Sequence, residues 1–471
     1  MSPLVPLTLF GLIPGIIILF QVLPARRAML VAFFAAWMFL PVAGYTFKGW
    51  PDYTKISATC VSIFLATLIS DARPLIAFRL RWFDLPMILW AGIPLASSMV
   101  NGYGIYDGLS NMLNQVVTWV LPYVIGRIYI TDLQAARELV RAMVIGAMIY
   151  VPLCLFEMRM SPRLHEIVYG FHQADWLQSK RGSFYRPTVF MVHGLAVATF
   201  MCTGALAGVW LWWNRTERKI LGVPLIVIVP VLLVTAAGCL SLGATVWMVV
   251  GILILAAMRL ANLRTPLWAI LFLPLLYPIA RTFGGWDGHQ LVDLAKSIAG
   301  PARADSLWTR LNSENELWYF VQGQKWLGAA RFMFVGLKTS ESSKGIIADS
   351  LWMIYLGKLG LIGLATFFAA MLAPIVALLR STPRHTWTHP AVAPVIFIVV
   401  SCALYLADCL SNAMINPVFI LAFGAAGGLV PSPQQARMIA TAPHMAFRPS
   451  QARSMSMPYR PSATGSRSAT P

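Results

Sequence analysis

Apolar runs of about 17–25 residues, the length that crosses a bilayer core of about 30 Å, recur along the whole chain. Inside hydrocarbon every backbone N–H and C=O must find its partner within the segment, so only helices or closed barrels can span it. Runs this long and continuous exclude the alternating pattern of barrel strands. They restrict the chain to an all-α bundle of membrane helices. Composition agrees: of 471 residues 58% are hydrophobic and 11% charged, against about 25% charged in a soluble domain.

The runs fall at 4–23, 28–45, 56–70, 85–100, 109–126, 138–157, 188–213, 220–236, 240–258, 265–281, 350–379, 391–409 and 412–430. They predict a polytopic bundle of twelve or thirteen transmembrane helices, with 220–258 split at Ala-Ala-Gly-Cys. The organisation expected is a first part of the bundle at 1–281, an external loop at 282–348, the rest of the bundle at 349–430, and a tail at 431–471. The run 4–23 has no basic stretch before it and no small-residue cleavage site after it, and reads as a retained helix. Basic residues such as Arg26, Arg79, Arg127 and Arg218 fall in short loops on one side of this topology. The positive-inside rule makes that side cytoplasmic and puts loops 158–187 and 282–348 outside.

The net charge of +18 is therefore an orientation signal, and no basic helix with interleaved aromatics points to nucleic acid. The tail, with five arginines, no acid and much Pro and Ser, is expected to be disordered near the anionic leaflet. The six cysteines lie within or beside apolar runs without CxxC spacing, which reads as packing and not as a disulfide or zinc framework. No internal repeat is visible, which counts against a transporter built from two related halves.

The polar loops hold the candidates for chemistry. "ENELWYFVQGQKWLGAARF" places Leu317, Phe320, Val321 and Leu327 on roughly one helical face, as in short amphipathic helices lying on a membrane. "SKRGSFYRPTVF" gathers Arg181 and Arg186 at the head of run 188–213, and "DSLWTRLNSENELW" carries Arg310. Each arginine suits a phosphate, whether on a substrate or on a lipid headgroup. His193 lies a turn into the same run as Arg186, and Glu157 ends another; each reads as a substrate contact or as a packed, hydrogen-bonded side chain. Asp408 and Asn412, four apart, read as a polar seam or an interhelical hydrogen bond, and Lys358 as a snorkelling or paired lysine. His165, His172 and His289 read as solvated loop histidines.

"ADSLWMIYLGKLGLIG", Ala348–Gly363, sets an acid at the head of an apolar run. As one continuous helix it puts Asp349, Met353, Leu356, Gly360 and Gly363 on one face and Lys358 off it. The glycines then make a close-packing seam, and Asp349 reads either as a helix cap or as a carboxylate available for chemistry.

The spacing here is Asp-Ser, nine residues, then Gly360-Leu-Ile-Gly363. It resembles the signature of the O-antigen ligase and O-antigen polymerase superfamily, in which His followed by Asn, Ser or Gln precedes nine residues and G-x-x-G. "KRGSFYRPTVFMVHGLAV" is similar to a family segment leading into a membrane helix, and "LSLGA" to its Ser-Arg-Gly-Ala turn with Leu242 in place of the arginine. The resemblance covers about residues 25–430. Asp349 stands where ligases carry histidine, and some relatives on the polymerase side carry an acid there, so polymerase is implied over ligase.

The resemblance implies a GT-C-like glycosyltransferase of the bacterial inner membrane, multi-pass, active on the periplasmic face with its C-terminal tail in the cytoplasm. The donor would be an undecaprenyl-diphosphate-linked oligosaccharide and the acceptor a glycan hydroxyl, among membrane lipids and alongside a chain-length regulator and a flippase. Asp349 would be the base. Arg186, Arg181 and Arg310 would hold the diphosphate, with His193, Arg303 and Glu157 as further contacts. No cofactor is implied, and no D-x-D motif in the external loops suggests a metal. Two alternatives are an O-antigen ligase acting on lipid A core or another acceptor, and a transporter of lipid-linked glycans.

Overall fold

Helix is almost the sole regular structure in the computed structural model, which describes residues 2–47, 50–174, 176–331 and 349–431. The first helices are α1 (Leu4–Val22), α2 (Ala25–Phe39), α3 (Lys55–Ser70), α4 (Arg73–Ile76), α5 (Leu85–Val100) and α6 (Gly104–Gln115). There follow α7 (Leu121–Tyr129), α8 (Leu133–Met160), α9 (Leu164–Tyr169), α10 (Gly194–Trp213), α11 (Leu225–Gly238) and α12 (Leu242–Leu260). The last are α13 (Thr265–Thr282), α14 (His289–Ala299), α15 (Pro301–Val321), α16 (Leu351–Ser381), α17 (Ala393–Asp408) and α18 (Pro417–Gly428). The strands among the described residues are three two-residue antiparallel ribbons.

Among the described residues six helices are long and apolar enough to cross a membrane: α1, α5 with its leading turn, α8, α10, α12 and α16. Four shorter apolar helices, α3, α11, α17 and α18, pack among them. The chain is an all-α helical membrane protein. Several expected runs are shorter or interrupted for local reasons. Run 109–126 is divided by a π turn at Val116–Val120, just before Pro122. Run 188–213 becomes helical only at Gly194, because Thr188 and Val189 donate their N–H groups to Glu157 and Val189 has φ +48°. Of the expected tail at 431–471, residues 432–471 lie outside the described residues.

The closest packing in the bundle joins α7 to α18. A Cβ on Gly126 would stand 2.1 Å from the Leu421 carbonyl oxygen, and one on Gly424 1.9 Å from that of Tyr123. Small residues let two backbones approach in this way where no hydrophobic effect drives helices together. At the end of this contact the buried Arg127 donates to Asp84 through Nε (2.9 Å) and Nη2 (2.8 Å), and Tyr123 Oη donates to the same carboxylate at 2.6 Å.

α16 is not the continuous helix expected from its sequence. Gly360 has φ +68° and ψ −167°, a conformation essentially confined to glycine, and it divides the helix. The segment 325–330 docks into the break. Ala329 and Ala330 donate to the carbonyls of Gly357 (3.0 Å) and Lys358 (2.9 Å), while Leu361 and Ile362 donate to those of Lys325 (2.7 Å) and Trp326 (3.1 Å). Ser97 and Asn101 of α5 donate to the Leu327 (2.6 Å) and Gly328 (2.8 Å) carbonyls and hold the segment in place. Every backbone group freed by the break at these positions is thus re-satisfied, which is the condition for irregular backbone within a membrane protein. Gly360 is a junction here and not part of a packing seam, so the expected single face from Asp349 to Gly363 ends at the break.

Candidate functional site

A cleft opens where α13, α15, the head of α16 and the turn at 410–411 meet. Its walls carry Tyr277, Arg310, Glu314, Asp349, Ser350 and Ser411, and the space between them is about 60 Å³. Arg310 and Glu314 lie one helical turn apart on α15, so both face the same wall. Asp349 precedes Ser350, the N-cap of α16.

The two charged pairs in this cleft differ in kind. Arg310 Nε stands 3.4 Å from Asp349 Oδ2, with side chains 40% and 45% exposed, and its Nη1 donates to the Ser411 carbonyl at 3.3 Å. An ion pair this exposed contributes about 0–1 kcal/mol and opens readily. Behind it the buried Glu314 accepts from Arg281 Nε (2.9 Å) and Tyr277 Oη (2.8 Å). Arg281 also donates to the carbonyls of Trp286 (2.7 Å) and Leu311 (2.6 Å), so this pair is locked. Burial pushes the Glu314 carboxyl above its usual range despite the opposing pull of Arg281 and Tyr277. Ser350 lines the cleft with a buried Oγ that has no hydrogen-bond partner among the described residues.

The fixed inner pair builds the wall, and the loose outer pair is free to work. An anion entering the cleft can draw Arg310 from Asp349, and the released carboxylate can then accept a proton. Ser350 Oγ offers a further donor or acceptor to whatever binds.

The remaining candidates are placed elsewhere. Asp349 does not cap α16: the first N–H, of Leu351, donates to the Cys409 (3.1 Å) and Asn412 (3.2 Å) carbonyls. Arg186 is buried and donates through Nη2 to the Leu240 carbonyl at 2.9 Å. His193 is the N-cap of α10, accepting from the Leu195 N–H at 3.1 Å, and not a residue inside the helix. Glu157 is fully buried and accepts from the N–H groups of Leu164 (2.9 Å), Thr188 (2.8 Å) and Val189 (2.7 Å), so it ties the 161–189 loop to α8. Arg181 lies in the ribbon Lys180–Arg181, and Arg303 in the first turn of α15.

Other polar groups have structural places. Asp408 accepts from Asn412 Nδ2 at 2.7 Å, the hydrogen bond that one reading of their spacing expects, and borders a second cavity of about 30 Å³ with Thr203, Ser401 and Tyr405. Lys358 Nζ reaches Asn111 Oδ1 at 3.4 Å. His165 is buried, not solvated: its Nε2 accepts from the Val42 N–H at 3.0 Å and its Nδ1 donates to the Phe171 carbonyl at 2.9 Å.

Three groups escaped the sequence reading. Glu314 and Ser350 are neighbours in sequence of Arg310 and Asp349, and the i, i+4 spacing of Arg310 and Glu314 was the signal for the first. The buried Lys55 donates through Nζ to the Trp37 (3.0 Å) and Phe190 (2.9 Å) carbonyls, contacts that its local sequence does not signal.

No protein-family model matches the chain, and no curated protein is significantly similar to it.

Proposed function

We propose that the chain is a polysaccharide polymerase of the bacterial inner membrane, a glycosyltransferase of the GT-C type with twelve or thirteen spans and its cleft on the periplasmic side. The observation that carries this reading is the loose Arg310–Asp349 pair at the mouth of a cleft with a locked inner wall. The motif resemblance from Asp349 to Gly363 supports it. In the proposed step the oxygen of an acceptor sugar hydroxyl bonds to the donor anomeric carbon while Asp349 takes the proton of that hydroxyl. The bond from that carbon to the lipid diphosphate breaks, and Arg310 holds the charge of the departing diphosphate. Ser350 hydrogen-bonds to the sugar. Arg186 and Glu157, bound within the fold, have no part in this step.

A ligase would run the same chemistry onto another acceptor. Transport of lipid-linked glycans is a second reading favoured by a particular observation, the break in α16, since discontinuous helices form the binding sites of many transporters. The experiment is glycan chain length in cells producing Asp349→Asn or Arg310→Lys at wild-type membrane levels. Polymerisation predicts that Asp349→Asn leaves single repeat units, the loss of a base lowering the rate about 10²–10⁴-fold. Full-length polymer from Asp349→Asn would refute the assignment.

A further inference from the structure

Of the amphipathic face expected from sequence in this loop, Leu317 and Val321 are buried, Leu327 is half-buried and Phe320 is exposed. A neighbouring helix carries a more continuous uncovered apolar stripe. On α14, Leu291, Leu294 and Ile298 fall within about 60° of one another, while His289, Asp293 and Lys296 occupy the opposite arc and Gln290 and Ser297 flank the stripe. All three apolar side chains are exposed, Leu294 by 55% and Ile298 by 77%. α14 packs along α15, and His289 stacks on Trp308 with ring centroids 4.3 Å apart.

The stripe continues a row on the preceding helix. Phe272, Leu276, Ile279 and Phe283 are exposed at spacings of four, three and four along α13, as on a helix facing lipid. The turn between the helices folds back tightly: Trp286 N–H donates to the Ala280 carbonyl at 3.3 Å, and its own carbonyl accepts from Arg281 Nη1 at 2.7 Å. α14 therefore starts close to the end of α13, beside the last residues of that exposed apolar row.

We propose that α14 lies in the plane of the bilayer interface, with Leu291, Leu294 and Ile298 in the acyl boundary and its polar arc toward water. The occupant of its apolar face is lipid. Because α14 packs on α15, which carries Arg310, this sets the Arg310–Asp349 cleft at headgroup depth, level with phosphate groups of membrane-anchored molecules. The placement follows from exposed side chains and chain continuity and holds whether or not the reaction proposed above is correct.

The test places single cysteines at Leu294, Ile298, Asp293 and Lys296 of the full chain, labels them with an environment-sensitive fluorophore, and reconstitutes each protein in phosphatidylethanolamine–phosphatidylglycerol vesicles. The six native cysteines are all buried. Nitroxide at carbon 5 of the acyl chain should quench the labels at 294 and 298 at least about threefold more than those at 293 and 296, and aqueous iodide should show the reverse order. Equal iodide quenching at all four positions would overturn the proposal. So would labels at 294 and 298 shielded from both quenchers, which would mean that a protein surface or a second copy covers the face.

Discussion

Gly360→Ala strikes the junction on which the broken helix depends. The glycine has φ +68° and ψ −167°, and holding alanine there costs about 1–3 kcal/mol. Space is the second obstacle. The new Cβ would stand 2.5 Å from both the carbonyl carbon and oxygen of Trp326 and 2.6 Å from the Gly328 nitrogen, all backbone atoms of the docked segment. Relief requires that segment to leave, with the four hydrogen bonds from Ala329, Ala330, Leu361 and Ile362. At about 0.5–1.5 kcal/mol each, these add roughly 2–6 kcal/mol. A loss of even about 3 kcal/mol raises the local opening equilibrium more than about a hundredfold. Hydrogen exchange followed by mass spectrometry reads this directly: the Ala329 and Ala330 amides should be protected in the wild type and exchange at least about a hundredfold faster in the variant. Gly243→Ala is the control, since nothing lies within 4 Å of its added Cβ. Unchanged protection of Ala329 and Ala330 in Gly360→Ala would refute the docked break.

Two other perturbations test the packing around the bundle. Arg127→Met strands the Asp84 carboxylate in a buried site and should destabilise the protein by about 3–5 kcal/mol, whereas adding Asp84→Asn should recover part of this; thermal melting in detergent reads both, and an unaffected single variant would contradict the buried pair. His165 is held below the usual imidazole range by burial, against the opposing pull of its hydrogen bond to the Phe171 carbonyl. Its neutral Nε2 must accept the Val42 N–H, so its contribution to stability is full above about pH 6.5 and is lost as the pH falls through the lowered value. His165→Phe should therefore melt lower than wild type at pH 8, with the gap narrowing toward pH 5; a constant gap would contradict this sign.

The membrane class was legible because long apolar runs leave a chain few other folds. The break in α16 was not, because Gly360 and Gly363 are spaced like packing glycines and the segment that fills the break lies about thirty residues upstream. Arg310 and Asp349 each stood out for their residue type and place, yet their meeting depends on α15 docking against the head of α16, a tertiary event with no local signature. Arg186 shows the converse. An arginine at the head of a helix reads as a phosphate ligand, but here its guanidinium turns inward to the Leu240 carbonyl.

The proposed polymerase is tested most directly by the purified protein alone in proteoliposomes, supplied with a lipid-diphosphate-linked oligosaccharide repeat. The account predicts ladders of multiple repeat units from the wild type, only single units from Asp349→Asn, and a hydrogen-exchange pattern for that variant that matches the wild type. Ladders of equal length from Asp349→Asn, or movement of the lipid-linked repeat across the bilayer without elongation by the wild type, would contradict it.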